Sequence, residues 1–501
     1  SKGVWVLTVA VWPGHYSTTL LGVSIFVAFL TYLTYKLLSD YLHKWFEMKP
    51  IPELGTTYPF IGNALLFKNN AGDFFRQIQD FTWEFRDKPL FKLWVGPVPF
   101  VVLYHAETVE PVLANSIHME KAFAYKFLHP WLGTGLLTST GTKWRQRRKM
   151  LTPTFHFSIL EDFLEVMNEQ AEILVEKLEQ HAGKGPFNCF SLITLCALDI
   201  ICETAMGKKI YAQSNSDSEY VRSVYRMSDI VSRRQRSPWL WPDFIYTYFS
   251  EGRDHDKTLK VLHSFTYKVI HERAENMSCN ESDSENDQGK RKRRAFLDML
   301  LSTTYEDGSK MSHEDIQEEV DTFMFRGHDT TAAAMNWALH LLGSHPEVHK
   351  KVQQELQEVF GNNNRLYHFN GVVLFLFFFV LLDGFKVPKG ANAIIITYSL
   401  HRDPRYFPEP EEFRPERFLP ENSVGRPAYA YVPFSAGLRN CIGQRFALME
   451  EKVVLAAILR NFTVEACQKR EDLRPVGELI LRPEKGIVIK LEKKTPQTSS
   501  N

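Results

Sequence analysis

Cys441 stands in the stretch Phe434-Ser435-Ala436-Gly437-Leu438-Arg439-Asn440-Cys441-Ile442-Gly443, whose residue types and spacing suit the presentation of a thiolate to a metal. A free thiol titrates near about 8.5, so a metal-binding cysteine needs surroundings that favour its anion. A helix-forming run, Gln444 to Phe462, starts just after it, and the amides at a helix N-terminus carry the positive end of the dipole. Gly437 permits a tight turn, Gly443 permits close backbone approach to a bound group, and Arg439 can pair with a carboxylate on that group. The alternative, a buried structural cysteine, leaves these neighbours without a purpose.

Two other clusters carry chemistry. Gly327-His328-Asp329-Thr330-Thr331 interrupts an apolar helical run with a glycine and an acid-alcohol pair. Thr330 can bond the carbonyl four residues back and loosen the helix, making room for a ligand and a water chain, while Asp329 can relay protons. The rival reading is a solvated patch on an amphipathic helix. In Trp144-Arg145-Gln146-Arg147-Arg148, Trp144 and Arg148 share one helical face, where an indole N–H and a guanidinium both reach carboxylates. Lys143 with Arg147, and Arg145 with Lys149, predict a basic outer face, either solvated or a docking surface.

The Phe-x-x-Gly-x-Arg-x-Cys-x-Gly string resembles the signature of the cytochrome P-450 superfamily, in which a cysteine thiolate ligates haem iron. The block Tyr429 to Glu451, His401-Arg402-Asp403-Pro404, Phe413 to Phe418 and Tyr125 to Arg148 extend the similarity over most of the chain, towards family 4, the fatty-acid ω-hydroxylases, and its microsomal V-type members. The resemblance implies haem b held by Cys441, with Trp144, Arg148, Phe434, Gly437, Arg439 and Gly443 as cofactor-binding residues. It implies catalytic proton delivery by Asp329 and Thr330, ω-hydroxylation of medium- to long-chain fatty acids, and electrons from NADPH-cytochrome P-450 reductase, with cytochrome b5 as a second donor. The basic face would receive the acidic reductase, and the region Phe127 to Leu137, with Trp131 and Gly133, would line the substrate entrance.

Two departures stand against the resemblance. Where many family 4 members carry a glutamate that esterifies a haem methyl, this chain has Arg326, so covalent attachment is not expected. Between Gly361 and Gly384 the superfamily has a helix with Glu-x-x-Arg, whose residues lock to the arginine corresponding to Arg417. Here that interval runs from Asn362 to Asn370 and then through the apolar Val372 to Leu382, with no glutamate before Gly390. The interval reads as a translated intron or a misplaced exon boundary. It makes a haem-poor, catalytically defective member of the family the alternative function, prone to aggregate through the apolar run.

The elements that must position these residues follow from composition and periodicity. The 501-residue chain is 44% hydrophobic and 24% charged, so it can bury a large core, and equal totals of 59 basic and 59 acidic residues argue against a nucleic-acid binder. Six cysteines without a Cys-x-x-Cys pair suit a reducing compartment. Tyr16 to Tyr35 carries no charge and is long enough to cross about 30 Å of hydrocarbon. Lys36, Lys44 and Lys49 after it predict a cytosolic body on the endoplasmic reticulum, in single-pass topology. The expected organisation is an N-terminal segment (1–15), an anchor (16–38), a Pro-rich hinge (39–62), a monooxygenase domain (63–495, aberrant at 362–383) and a tail (496–501). The predicted fold is mainly α with a small β lobe, the cytochrome P-450 fold behind a transmembrane helix. A hairpin is expected about Gly96-Pro97, helices over 158–274, a polar loop from Asn276 to Gly289 and a basic run from Lys290 to Arg294. Ser312 and Asp315 predict the start of one long helix reaching Leu342, with a second ending at Gly361. Ala391 to Tyr398 reads as a strand, and Gly477 to Leu481 with Ile487 to Leu491 as a hairpin.

Overall fold

The computed structural model describes residues 13–115, 120–215, 218–283, 295–305, 308–360, 385 and 387–494. The principal helices are α1 (Pro13–Glu47), α2 (Ala71–Glu84), α3 (Gly141–Leu151), α4 (Phe157–Glu179), α5 (Phe190–Thr204), α6 (Glu219–Arg236), α7 (Ser250–Asp283), α8 (His313–Ser344), α9 (Pro346–Phe360) and α10 (Gln444–Asn461). The strands are β1 (Leu90–Val95), β2 (Val98–Leu103), β3 (Phe187–Asn188), β4 (Asn392–Ile395), β5 (Phe462–Ala466), β6 (Pro475–Gly477), β7 (Leu481–Pro483) and β8 (Val488–Lys493). The mainly α architecture with small sheets is the predicted one.

The long helix α8 is the axis of the body. Ser312 caps it, its side chain accepting from the Asp315 amide at 3.1 Å. Its 32 residues span about 48 Å. Apolar side chains on nearly every face (Val320, Met324, Phe325, Met335, Leu339) are buried, as a helix enclosed by others requires. It packs against α5, itself buried from Ile193 to Cys202, and the crossing is close at Gly327. A Cβ there would lie 2.5 Å from Ile201 Cγ1, so this glycine serves helix packing as well as any local loosening.

The small sheets sit at the edges of the helical body. β1 and β2 form the predicted hairpin, and β4 adds parallel to β2 with Phe100 opposite Asn392. Only Asn392–Ile395 of the stretch predicted as a strand from Ala391 is extended, because Thr397–Leu400 closes a helical turn. The predicted C-terminal hairpin is corrected. β6 pairs with β7, whereas β8 pairs with β5 and β3, placing Ile489 and Leu491 against Val464 and the core. Alternating burial along β8 decides its partner, since its inward residues match the inward face of β5 rather than the short β7.

Helix α1 is longer than the predicted anchor. The most apolar 18 residues within Leu20–Glu47 have mean hydropathy 1.7, and none of them is buried against the body. The helix then runs on through the start of the predicted hinge, where Tyr41 is buried on Phe60 and Trp94, with ring centroids 4.8 and 5.3 Å away. Residues 48–62 are tied to β1 rather than free: Lys92 Nζ donates to Met48 O at 2.9 Å and the Asn63 side chain bridges Leu54 O and the Trp94 amide. Helix α7 continues to Asp283, beyond the point where a polar loop was expected, and the basic run 290–294 lies outside the described residues. So does the aberrant interval, from Gly361 to Gly384.

Candidate functional site

The Cys441 loop is closed by its own backbone. Cys441 N–H donates to Phe434 O at 2.9 Å, and Asn440 N–H to Gly437 O at 3.2 Å. Gly437 has φ +68° and its Cβ position falls on Leu113 O, so the turn requires glycine. Ser435 also adopts positive φ, at 58°. Arg148 of α3 braces the loop, donating to Asn440 O at 2.7 Å and to its side-chain oxygen at 2.6 Å. Gly443 caps α10, and a Cβ there would meet only Cys441 Sγ, at 4.0 Å. Burial raises the Cys441 thiol above its usual range, while the Gly443 amide and the Arg326 and Arg148 charges pull it down; burial prevails. The helix terminus alone therefore does not produce an anion, and a metal must displace the proton.

Arg326, Thr330 and Ala334 follow one another at four-residue spacing on α8. They are half-buried or exposed while Phe325, Asp329, Thr331 and Ala333 beside them are buried. This stripe opens a cleft in a helix otherwise enclosed, and Cys441, which keeps some surface open to the cleft though protein surrounds most of its thiol, senses the Arg326 charge across it. Thr330 Oγ1 donates to Arg326 O at 2.6 Å, the expected bond to the carbonyl four residues back, in a helix that nevertheless stays regular there. Thr331 bonds Gly327 O at 2.9 Å and lies 3.1 Å from Glu450 Oε1, a fully buried carboxyl that burial holds neutral.

Asp329 points elsewhere. It is fully buried, and both its oxygens accept from Arg482 of β7, Nε at 3.0 Å and Nη2 closer still. Arg482 lies over the Tyr225 ring at 4.4 Å and its remaining nitrogen is 3.4 Å from Glu478. Sequence reasoning missed this partner. The signal available was an arginine between Leu481 and Pro483, in a segment otherwise suited to burial.

Trp144 is buried, and the Arg439 guanidinium lies 4.2 Å over its ring while donating to Ser139 O at 2.7 Å. Lys121, half-buried beside Tyr125, senses both Arg439 and Arg326. Burial lowers the basicity of Lys121, Arg148 and Arg439, the last to about 10. The predicted basic outer face is corrected at half its residues. Arg147 is buried and bonds Glu319 at 2.7 Å and Asp315, and Lys143, still partly in solvent, bonds Glu318 at 2.8 Å, so both turn towards α8. Trp131 packs on Phe325 with centroids 4.6 Å apart and is 1% exposed, inside the core rather than at an entrance.

The sequence profile described as Cytochrome P450 matches residues 52–370 and 380–491. The chain belongs to that family. Human cytochrome P450 4V2 is 56% identical over 523 positions, covering 98% of this chain and 99% of the relative. The rat protein of the same name is 59% identical (92% and 93% covered), and Drosophila melanogaster cytochrome P450 4c3 is 45% identical (90% of each). The human alignment has 523 positions against 501 residues here, so at least 22 of them lack a counterpart in this chain. The profile match itself breaks at 371–379, inside the interval where Glu-x-x-Arg was missing.

This P450 is a haem monooxygenase of family 4, and the residues around the cleft fit the cofactor. Arg148 and Arg326 both act on Cys441 and Lys121 lies near enough to Arg326 to sense it, with no carboxylate in ion-pair distance of the three among the described residues. Such a cluster costs free energy unless an anion enters, and the two propionates of haem b supply one. Cys441 would hold the iron, Arg439, Trp144 and Arg148 would face the propionates, and Gly437 with Gly443 would keep the loop low enough for a flat macrocycle. Bound haem supplies dioxygen activation and one-electron chemistry. Arg326 offers no carboxylate for an ester link. Thr330 spends its hydrogen on Arg326 O, which leaves its lone pairs to accept from a water in the cleft; releasing that bond frees the hydroxyl to donate.

Proposed function

We propose that this P450 hydroxylates medium- to long-chain fatty acids at the ω end. In this reading it is anchored by α1 in the endoplasmic reticulum membrane with its body in the cytosol. Electrons come from NADPH-cytochrome P-450 reductase, with cytochrome b5 as auxiliary donor. Cys441 is the axial ligand; Thr330 and Asp329 deliver protons. The observation that carries the reading is the cleft between the Cys441 loop and the Arg326–Thr330–Ala334 stripe, cationic where a dianionic cofactor would sit. Membership of family 4 and the apolar exposed α1 support the lipid substrate and the anchor.

The deciding experiment is the carbon monoxide difference spectrum of the reduced, purified chain. A red-shifted thiolate Soret band is expected, and it should vanish in Cys441→Ala, since no neighbour offers a soft anionic donor. A thiolate-type spectrum surviving in that variant would remove Cys441 from the role. Thr330→Ala should keep the spectrum yet divert reducing equivalents to hydrogen peroxide.

The broken profile match favours a second reading, a haem-poor member of the family. Arg417 supports it in part: its guanidinium donates to the carbonyls of Pro408, Glu409 (2.6 Å) and Glu412 (3.2 Å), and no carboxylate among the described residues pairs with it. Replacing residues 361–384 with a helix carrying Glu-x-x-Arg should raise haem occupancy if this reading holds. Equal occupancy and equal melting temperature in the two chains would show a tolerated variation.

A further inference from the structure

Arg326 is the charged member of the α8 stripe that opens on the Cys441 cleft, and it is half-buried. Among the described residues its guanidinium has no ion pair and no hydrogen-bond acceptor; it lies 5.9 Å from the centre of the Phe325 ring. The acids of α8 within about two turns on either side are engaged elsewhere. Glu319 bonds Arg147 at 2.7 Å, Asp321 lies 3.6 Å from His263, and Asp329 is held by Arg482.

The other cations about the cleft stand on different elements. Arg148 of α3 bonds Asn440, next to Cys441; Arg439 belongs to the Cys441 loop and lies over Trp144; Lys121 lies 4.4 Å over the Tyr125 ring. Of these four, Arg326 alone comes from α8, the wall across the cleft from the thiol. The Cys441 thiol senses its charge from there. Haem b brings two propionates, and its ferric iron, porphyrin ring and a single axial thiolate sum to zero charge. Lys121, Arg148 and Arg326 therefore outnumber the propionates before Arg439 is counted. In a half-buried site the effective dielectric constant is about 20, well below that of water, so an excess charge acts strongly on its neighbours.

We propose that Arg326 supplies a fixed positive charge to the open face of bound haem, opposite Cys441, raising its reduction potential and its affinity for small anions. Taking up one electron, from the reductase or from dithionite, makes the site more negative by one charge, and a nearby cation favours that state. A small anion such as azide brings charge of the same sign, whereas neutral imidazole brings none. A guanidinium keeps its charge throughout the working pH range, so the bias does not depend on a titration. The proposal rests on Cys441 as the axial ligand, since that reading puts α8 on the open face.

The test uses the full-length protein saturated with haem b, with Arg326→Gln, Arg326→Glu and Arg326→Lys beside the parent. The readouts are spectroelectrochemical titration and the binding of azide and imidazole to the ferric form. Arg326→Gln should move the ferric–ferrous equilibrium roughly ten-fold towards ferric, about 59 mV for one electron. Arg326→Glu should move it further the same way, and Arg326→Lys, which keeps the charge, should restore most of the parent value. Azide affinity should fall roughly ten-fold in Arg326→Gln while imidazole affinity holds. A shift below about two-fold in both the Gln and Glu variants overturns the proposal. Equal losses of azide and imidazole also overturn it, because they report altered access rather than charge. A lowered potential with unchanged azide binding overturns the placement on the open face. The carbon monoxide spectrum taken alongside separates the two readings. A thiolate-type band without any Arg326 effect sinks this proposal alone, whereas Arg326 effects without that band sink the Cys441 reading and leave the charge effect standing.

Discussion

Two clusters of cations lie along the same pair of helices, and they differ in what answers them. At the N-terminal end of α8, Arg147 and Lys143 meet Asp315, Glu318 and Glu319, charge against charge, and Glu318 also holds the Thr134 amide at 2.8 Å. About three turns further on, Lys121, Arg148 and Arg326 face the Cys441 cleft with no carboxylate among the described residues. The first cluster is complete within the chain and is architecture. The second has no such answer among the described residues, as the anionic cofactor of the proposed function would require.

Removing one side of the matched cluster should give the largest effect. Glu319→Ala leaves Arg147 buried with much of its compensation gone, and should cost about 3–5 kcal/mol in denaturant unfolding. A loss below about 1 kcal/mol would mean that the cluster is not a closed unit. The unmatched cluster should behave in the opposite way. Lys121→Gln with Arg326→Gln relieves mutual repulsion, so the haem-stripped protein should melt no lower than the parent. Haem transfer to a scavenging protein should nonetheless accelerate roughly ten-fold, as charged contacts to the propionates are lost. If both melting and retention fall together, the two clusters do not differ in kind.

A third prediction extends the contrast to a neutral buried group. His401 Nε2 accepts from the Val432 amide at 2.9 Å, just ahead of the Cys441 loop, and burial lowers its pKa to about 4. Between about 6.5 and 4 the unfolded chain binds a proton that the folded one refuses, so stability should fall as pH drops through that window, by on the order of 2 kcal/mol. His401→Gln, which keeps an acceptor but does not titrate, should flatten the profile; an unchanged profile would assign the acid loss to other groups. The smallest effect is expected from Ser312→Ala, about 1 kcal/mol in thermal unfolding, because it frees one α8 amide beside the matched cluster. No change there would show that Asp315 is held by Arg147 alone.

Much of the site was legible because its logic is local. The Gly437 turn, the Ser312 cap, the β1–β2 hairpin and the Thr330 bond to Arg326 each involve residues a few places apart, where spacing determines geometry. What escaped depends on partners remote in the chain. Arg147 belongs by periodicity to a basic face, and nothing near it discloses Glu319, 172 residues away. Asp329 was read as a relay, yet its carboxylate is held by Arg482, 153 residues on. The pairing of β8 with β5 rather than β7 was lost for a related reason: alternation shows which residues turn inward but not which strand they meet.

The unbroken course of α1 into the body has a mechanical meaning. A helix turns 100° and rises 1.5 Å per residue, so a mast without a joint fixes both the height and the bearing of whatever it carries. With Tyr41 wedged on Trp94 and the following residues bonded to β1, the catalytic body cannot swivel about its stem. Adding a single residue near position 39 would swing the body through more than a quarter of a circle relative to the apolar face of α1 that precedes it, while every contact inside the body stayed as it was.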